Sequence, residues 1–346
     1  MDSRNISQPT KYTDLTREIQ LQALDRLVDQ THFVPEIIEK DWWVTMTLKA
    51  LFETSCHEFL SFKGGTSLSK GWHLIDRFSE DIGLSLHHSF FGIESTNKSQ
   101  REKLRKQSRV YIVNELSKEL EDRLHGFGIA DVKVVPVTMT EGNDPHPIDS
   151  DKDPVALRVL YPSILPSISS YMLPFAKVEI SCLSMNEPTE TIELSSMIRA
   201  AYPQLDEDAV VMARTVKPTR TFLEKAFLLC EEFQKAKPRT RRMTRHLYDM
   251  YKLAHTPFGE EALQDVALYH RIVDHREAYY HVHYVDYSRL LPENISFLPP
   301  EALLKDYKAD YQMMLQEYIH DPDAPVFEEL MQFLQQLQER FRRYKH

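Results

Sequence analysis

Gly64, Gly65, Thr66, Ser67 and Asp81 stand close together in the stretch FLSFKGGTSLSKGWHLIDRFSEDIGLSL, residues 59–86. Paired glycines suit a turn whose backbone needs positive φ or must approach a ligand closely, and this chain has only nine glycines. A helix opening at Thr66 and Ser67 directs its free N–H groups at the same spot, which makes a seat for phosphate. A carboxylate beside such a seat is the minimum arrangement for holding Mg²⁺ or Mn²⁺ together with a nucleotide. Asp81 supplies it, and Ser79, two residues earlier, shares its face.

These residues need a scaffold that brings them together. The pattern predicts a short strand at 59–62, the glycine turn, a helix, and a second strand at 81–86. Strand residues two apart share a face, with Cα atoms roughly 6.5–7 Å apart. Asp81 is followed by Gly83 at that spacing. Glu80 points to the opposite face. Upstream, helical periodicity marks 14–30, and Pro35 opens a helix carrying Glu39-Lys40-Asp41-Trp42-Trp43. That charge and aromatic cluster reads as a core helix with a polar face, or as a segment bordering the site through Lys40 or Asp41. Downstream, a charged helix is expected at 98–123 and strands at 131–139, 155–161, 175–183, 191–198 and 209–216. The polar loop at 141–154 reads as surface exposed. From Thr219 onward the chain reads as nearly all helix, in segments 219–236, 240–255, 259–280, 300–320 and 325–343.

Composition sets the outer limits. The 346 residues are 42% hydrophobic and 27% charged, values of a globular protein with room for a substantial core. The formal net charge of -10 means that nucleic acid binding needs a local basic patch. Lys235, Lys237, Arg239, Arg241, Arg242 and Arg245, followed by His246, form one. Cys56, Cys182 and Cys230 are few, odd in number and far apart, which argues against disulfides and zinc and for a cytoplasmic protein. No signal peptide or membrane-spanning run is read. His275, His281 and His283 lack the spacing of a metal site.

The Gly-Gly-Thr turn, helix and Asp-bearing strand resemble the nucleotidyltransferase fold of the DNA polymerase β type. The fuller wording, FKGGTSLSKGW followed by RFSEDI, resembles more narrowly the AbiEii/AbiGii toxin nucleotidyltransferases of bacterial toxin–antitoxin and phage-defence systems. Further likenesses are the EKD-aromatic-W segment, a K-x-E-I strand at 177–180, RTFLEKA at 220–226, RHLYDMY at 245–251, and a closing D-Y-x-x-M segment. The resemblance implies an α+β fold: a mixed or antiparallel sheet flanked by helices, then a helical C-terminal half completing the cleft. We place the division near residue 217, with 1–217 the nucleotidyltransferase-like part and 218–346 the helical part. It implies that Asp81 and Glu179 hold the metal, with Glu179 alternatively the base. It further implies that Lys225 meets the leaving pyrophosphate, that Asp249 completes the polar site, and that Ser79 faces substrate. The lysine and aspartate read equally as an interhelical ion pair. The activity implied is nucleotide transfer from an NTP to an acceptor, tRNA in some members, restrained by a cognate antitoxin. An RNA acceptor would lay its backbone along 235–246.

One position departs from that family, which reads Asp-Ile-Asp where this chain reads Asp81-Ile82-Gly83. Two carboxylates at that spacing can straddle metal ions about 3.5–4 Å apart. The departure leaves a second reading open: a catalytically impaired relative that binds nucleotide or a protein partner.

Overall fold

The computed structural model describes residues 11–31, 33–93, 97–140, 144–165, 174–207, 209–319 and 321–343. Two N-terminal helices, α1 (Arg17–Thr31) and α2 (Pro35–Leu51), precede strand β1 (Leu60–Lys63) and strand β2 (Asp81–Leu86). Helices α3 (Lys98–Tyr111) and α4 (Ser117–Gly126) lead into β3 (Lys133–Pro136), β4 (Val155–Leu160), β5 (Phe175–Ser181) and β6 (Thr189–Ser195). A short α5 (Met197–Ala201) connects to β7 (Val210–Val216). The remainder is helical: α6 (Pro218–Glu232), α7 (Thr244–Ala254), α8 (Pro257–Ala262), α9 (Val266–His275), α10 (Leu304–Glu317) and α11 (Phe327–Arg342).

The strands form one seven-stranded mixed sheet in the order β3-β4-β5-β2-β1-β7-β6. β1 runs antiparallel to β2, and β2 runs parallel to β5. Alternation fixes which face does what. Leu60 and Phe62 of β1, Ile82 and Leu84 of β2, and Val178 and Ile180 of β5 join the core beneath α2. The intervening Lys63, Asp81, Gly83 and Glu179 therefore share the other face. α2 is buried along almost its whole length, which explains its two tryptophans and requires partners for its buried Glu39, Lys40 and Asp41. A second hydrophobic core unites α6 to α11 and takes in Leu68 and Ile75 from the region between β1 and β2.

Several elements depart from the expected spans for local reasons. The helix after the glycine turn occupies only residues 65–71, and Ser67–Gly71 winds as a wide π turn. The charged helix is interrupted by a similar turn at Ile112–Leu116 before α4. The strand expected through 198 stops at Ser195, because the Ser196 side chain caps α5 by accepting from the Arg199 N–H. The segment expected as one helix over 259–280 is divided, because Asp265 caps α9 by accepting from the Leu268 N–H. No helix among the described residues is long and apolar enough to cross a membrane.

Candidate active site

The polar face of β1, β2 and β5 meets α6 and α7 at a cavity of about 350 Å³. Its lining includes Gly64, Gly65, Ser79, Asp81, Glu179 and Lys225, so most residues singled out from the sequence converge on one space. Thr66 and Ser67 do not line it. Their hydroxyls turn into the protein: Thr66 Oγ1 donates to the Asp81 carbonyl (2.6 Å) and lies 2.9 Å from the Ser79 hydroxyl, and Ser67 Oγ donates to the Gly64 carbonyl (2.8 Å). These two side chains position the turn and the start of β2.

The glycine pair has distinct tasks. Gly64 has φ +88°, the left-handed conformation that glycine adopts without strain. At Gly65 a Cβ would stand 2.6 Å from Arg77 Nη2 and 2.8 Å from Ser79 Oγ. The turn must therefore be bare for Arg77 to pass beneath it.

Arg77 leads to the most buried charge cluster of the site. Its Nε and Nη2 donate to both oxygens of Asp249 at 2.6 and 2.7 Å, and Lys225 Nζ approaches Asp249 at 2.7 Å. Asp249 is fully enclosed, and the two cations, opposing its desolvation, hold its carboxyl far below the ordinary carboxylate range. Arg77 and Lys225 both line the cavity, whereas Asp249 stands behind them and does not. Lys225 is thus held in an interhelical ion pair while facing the cavity, and Asp249 acts as its anchor.

Asp81 and Glu179 come from the parallel strands β2 and β5, offset by one residue pair: Asp81 is opposite Lys177, and Gly83 is opposite Glu179. Burial pushes the Asp81 carboxyl above its ordinary value, and the neighbouring Glu179 charge pushes it further. Glu179 is more open and pairs with Lys177 at 2.7 Å. Two carboxylates held together at such a cost suit a hard divalent cation, which completes its shell with water or phosphate oxygens. Among the described residues no group of three or more His, Cys, Asp or Glu side chains is arranged for a metal ion.

Several lining residues escaped sequence reasoning. Asp153, at the end of the loop expected to be exposed, turns inward. It accepts from Ser181 Oγ (2.5 Å) and the Cys182 N–H (2.9 Å), and burial raises its carboxyl. Thr221 escaped as well; its Oγ1, like Arg245 Nε and His246 Nδ1 of the expected basic segment, is buried without a hydrogen-bond partner, and all three residues line the cavity. Thr221 lies one helical turn before Lys225, so the i, i+4 relation to that lysine was the available signal.

The Glu39-Lys40-Asp41 segment lies behind the site. Glu39 accepts from Ser163 Oγ (2.7 Å) and the Ile164 N–H (2.8 Å). Lys40 pairs with Glu80, and Asp41 pairs with Lys70 at 2.6 Å while accepting from the Met197 N–H at 2.7 Å. α2 thus braces the turn and β2 from the rear.

The basic segment divides. Lys235 and Arg239 are tied to Glu232. Arg241, Arg242 and Arg245 line a small pocket with Asp81, Met313 and Tyr318, and the Arg242 guanidinium lies 5.7 Å from the Tyr318 ring centre. His281 and His283 do not line the cavity; His275 Nε2 donates to the Leu183 carbonyl at 2.8 Å.

Comparisons with known proteins bear on this arrangement. The family model described as the nucleotidyl transferase AbiEii toxin of type IV toxin–antitoxin systems matches residues 47–333. Among solved structures, the chain is similar to MenT4, a nucleotidyltransferase toxin from Mycobacterium tuberculosis H37Rv. That match has 17% identity and a TM-score of 0.44, and covers 95% of this chain and 99% of that one. A comparison with curated proteins found no match.

Proposed function

The chain belongs to the AbiEii family of nucleotidyltransferase toxins, and from that premise we propose that it transfers a nucleotide from an NTP to a hydroxyl of an RNA acceptor. The observation that carries this reading is the convergence of Asp81, Glu179, Arg77, Lys225 and the Gly64-Gly65 turn on one cavity. The buried, unpartnered polar atoms of Thr221, Arg245 and His246 are what a polar ligand would satisfy.

In this reading Asp81 and Glu179 hold Mg²⁺ or Mn²⁺. When bound, the ion neutralises charge on the phosphates and polarises the reacting phosphoryl group. The acceptor oxygen bonds to the α-phosphorus as the bond from that phosphorus to the bridging oxygen breaks. Pyrophosphate leaves with the electron pair. The hydroxyl proton passes to the carboxylate pair, of which Glu179 is the more open. Lys225 spends one of its three donors on Asp249 and directs charge at the leaving group. Arg77 locks that lysine through the shared aspartate, and Ser79 borders the donor at the head of β2. Arg241, Arg242 and Arg245 receive the acceptor backbone beside Asp81. A cognate antitoxin and a cytoplasmic setting follow from the toxin reading.

A second reading rests on Gly83: without a second strand carboxylate, the chain binds nucleotide or a protein partner and catalyses nothing. The deciding experiment supplies four α-³²P-labelled NTPs with Mg²⁺ or Mn²⁺ to wild type and Asp81→Ala, using total bacterial RNA and protein as acceptors. Transfer into RNA by wild type, lowered about 100-fold or more in Asp81→Ala, is the expected result. NTP binding without transfer to either acceptor would favour the second reading.

A further inference from the structure

The polar face of the sheet carries one cross-strand row in which Lys63 of β1 is opposite Gly83 of β2, and Gly83 is opposite Glu179 of β5. The central position has no side chain, and the lysine stem lies over it. A Cβ at Gly83 would stand 2.9 Å from the Lys63 carbonyl oxygen and 3.7 Å from Lys63 Cγ. Lys63 lines the same cavity as Asp81, Glu179 and Lys225. Its Nζ donates to Ser184 Oγ at 2.6 Å; burial, and then the Arg220 charge, press its pKa below the ordinary lysine value, while Glu224, Asp153 and Glu179 oppose them and support the ammonium form. Ser184 in turn contacts the Tyr280 hydroxyl at 3.0 Å, so the lysine head is held in place. Where two strand carboxylates would gather a second divalent ion, this chain offers one carboxylate and a resident cation.

We propose that Lys63 is a fixed cation of the site, its ammonium meeting the donor triphosphate where a second divalent ion would sit, so that the chain binds NTP with one divalent ion. This rests on the nucleotidyltransferase reading above. A fixed ammonium needs no metal to attract phosphate, and it adds a donor without the geometric demands of an octahedral ion. It also explains why a glycine at position 83 does not open an empty hole in the site.

The test uses the full-length chain. Mn²⁺ bound per chain is counted by electron paramagnetic resonance in the presence of a non-hydrolysable α,β-methylene NTP. One ion per chain is expected, and two would overturn the proposal. Affinity is then measured in EDTA with ribose-labelled fluorescent NTPs and with the matching labelled nucleosides. Lys63→Gln should lose about tenfold or more in NTP affinity and leave nucleoside affinity unchanged, while Lys63→Arg stays within a few-fold of wild type. Equal NTP affinity in Lys63→Gln, a parallel loss for nucleosides, or no NTP binding by wild type in EDTA despite binding in Mn²⁺ would each overturn it. If circular dichroism shows Lys63→Gln unfolded, the ion count and the metal-free affinity of wild type and Lys63→Arg decide. Failure of wild type to bind any NTP even with Mn²⁺ rejects the nucleotidyltransferase reading itself, and the role of Lys63 with it.

Discussion

At position 83 the structure turns a gap in a motif into a packing constraint. An aspartate there would complete the family's motif, yet its Cβ would press on the Lys63 carbonyl at 2.9 Å. Backbone cannot swing aside as a flexible side chain can, so β1 and β2 must separate locally. Gly83→Asp should therefore lose about 1–3 kcal/mol, the usual cost of overpacking. Urea unfolding checks this through a lowered midpoint at unchanged slope. Stability equal to wild type would mean that β1 yields freely and that close approach does not exclude a side chain. Asp249 makes a related point. Sequence wording placed it in the site, but only three dimensions show it standing behind Arg77 and Lys225, fixing both at once.

The scaffold around those residues was legible where periodicity was strong and obscure where a single cap or close contact decided the outcome. β2 runs over Asp81–Leu86 as its alternation predicts, and α2 starts at Pro35. The caps Ser196 and Asp265, which end or divide elements, are single polar residues that composition does not distinguish from ordinary surface positions. Asp153 was hidden for the same reason: a loop rich in turn formers gives no sign that its last aspartate folds inward. The EKD segment was legible as a buried helix with a polar cluster, but its partners lie far away in sequence. Those partners make α2 testable as a brace. Asp41 and Lys70 are both nearly enclosed, so Asp41→Ala leaves a buried ammonium short of its counter-charge and should cost about 3 kcal/mol or more. Asp41→Asn keeps an acceptor for the Met197 N–H and should lose less. Chemical denaturation of the two variants checks the order, and equal losses would remove the ion pair from the account.

The sheet core and the helical core meet along the cleft, where polar contacts join them beside the apolar packing of Leu68 and Ile75. Arg77 reaches from between β1 and β2 to Asp249 on α7. His275, at the end of α9, donates from Nε2 to the Leu183 carbonyl just beyond β5. Burial holds the His275 ring at about 4, against an ordinary value of 6.5. The other facing groups are Glu224, Arg220 and Arg276, and Tyr279 stacks on the ring. With its folded value below its unfolded one, the unfolded chain takes up the proton first as pH falls. The contribution of His275 to stability is thus complete above about pH 6.5, declines across the interval, and levels off below about pH 4. The shift corresponds to a loss of up to about 3 kcal/mol across that window. Carboxylates with lowered values, Asp249 first among them, add losses at more acidic pH. Measuring unfolding free energy from pH 7.5 to 4.5 for wild type and His275→Gln isolates the term. The variant should be less stable at pH 7.5, because a packed ring is lost, yet its curve should be flatter. Parallel curves would mean that the ring takes up its proton as readily in the folded chain as in the unfolded one, and that the contact between the sheet and helical cores is not the acid-sensitive joint inferred from its burial.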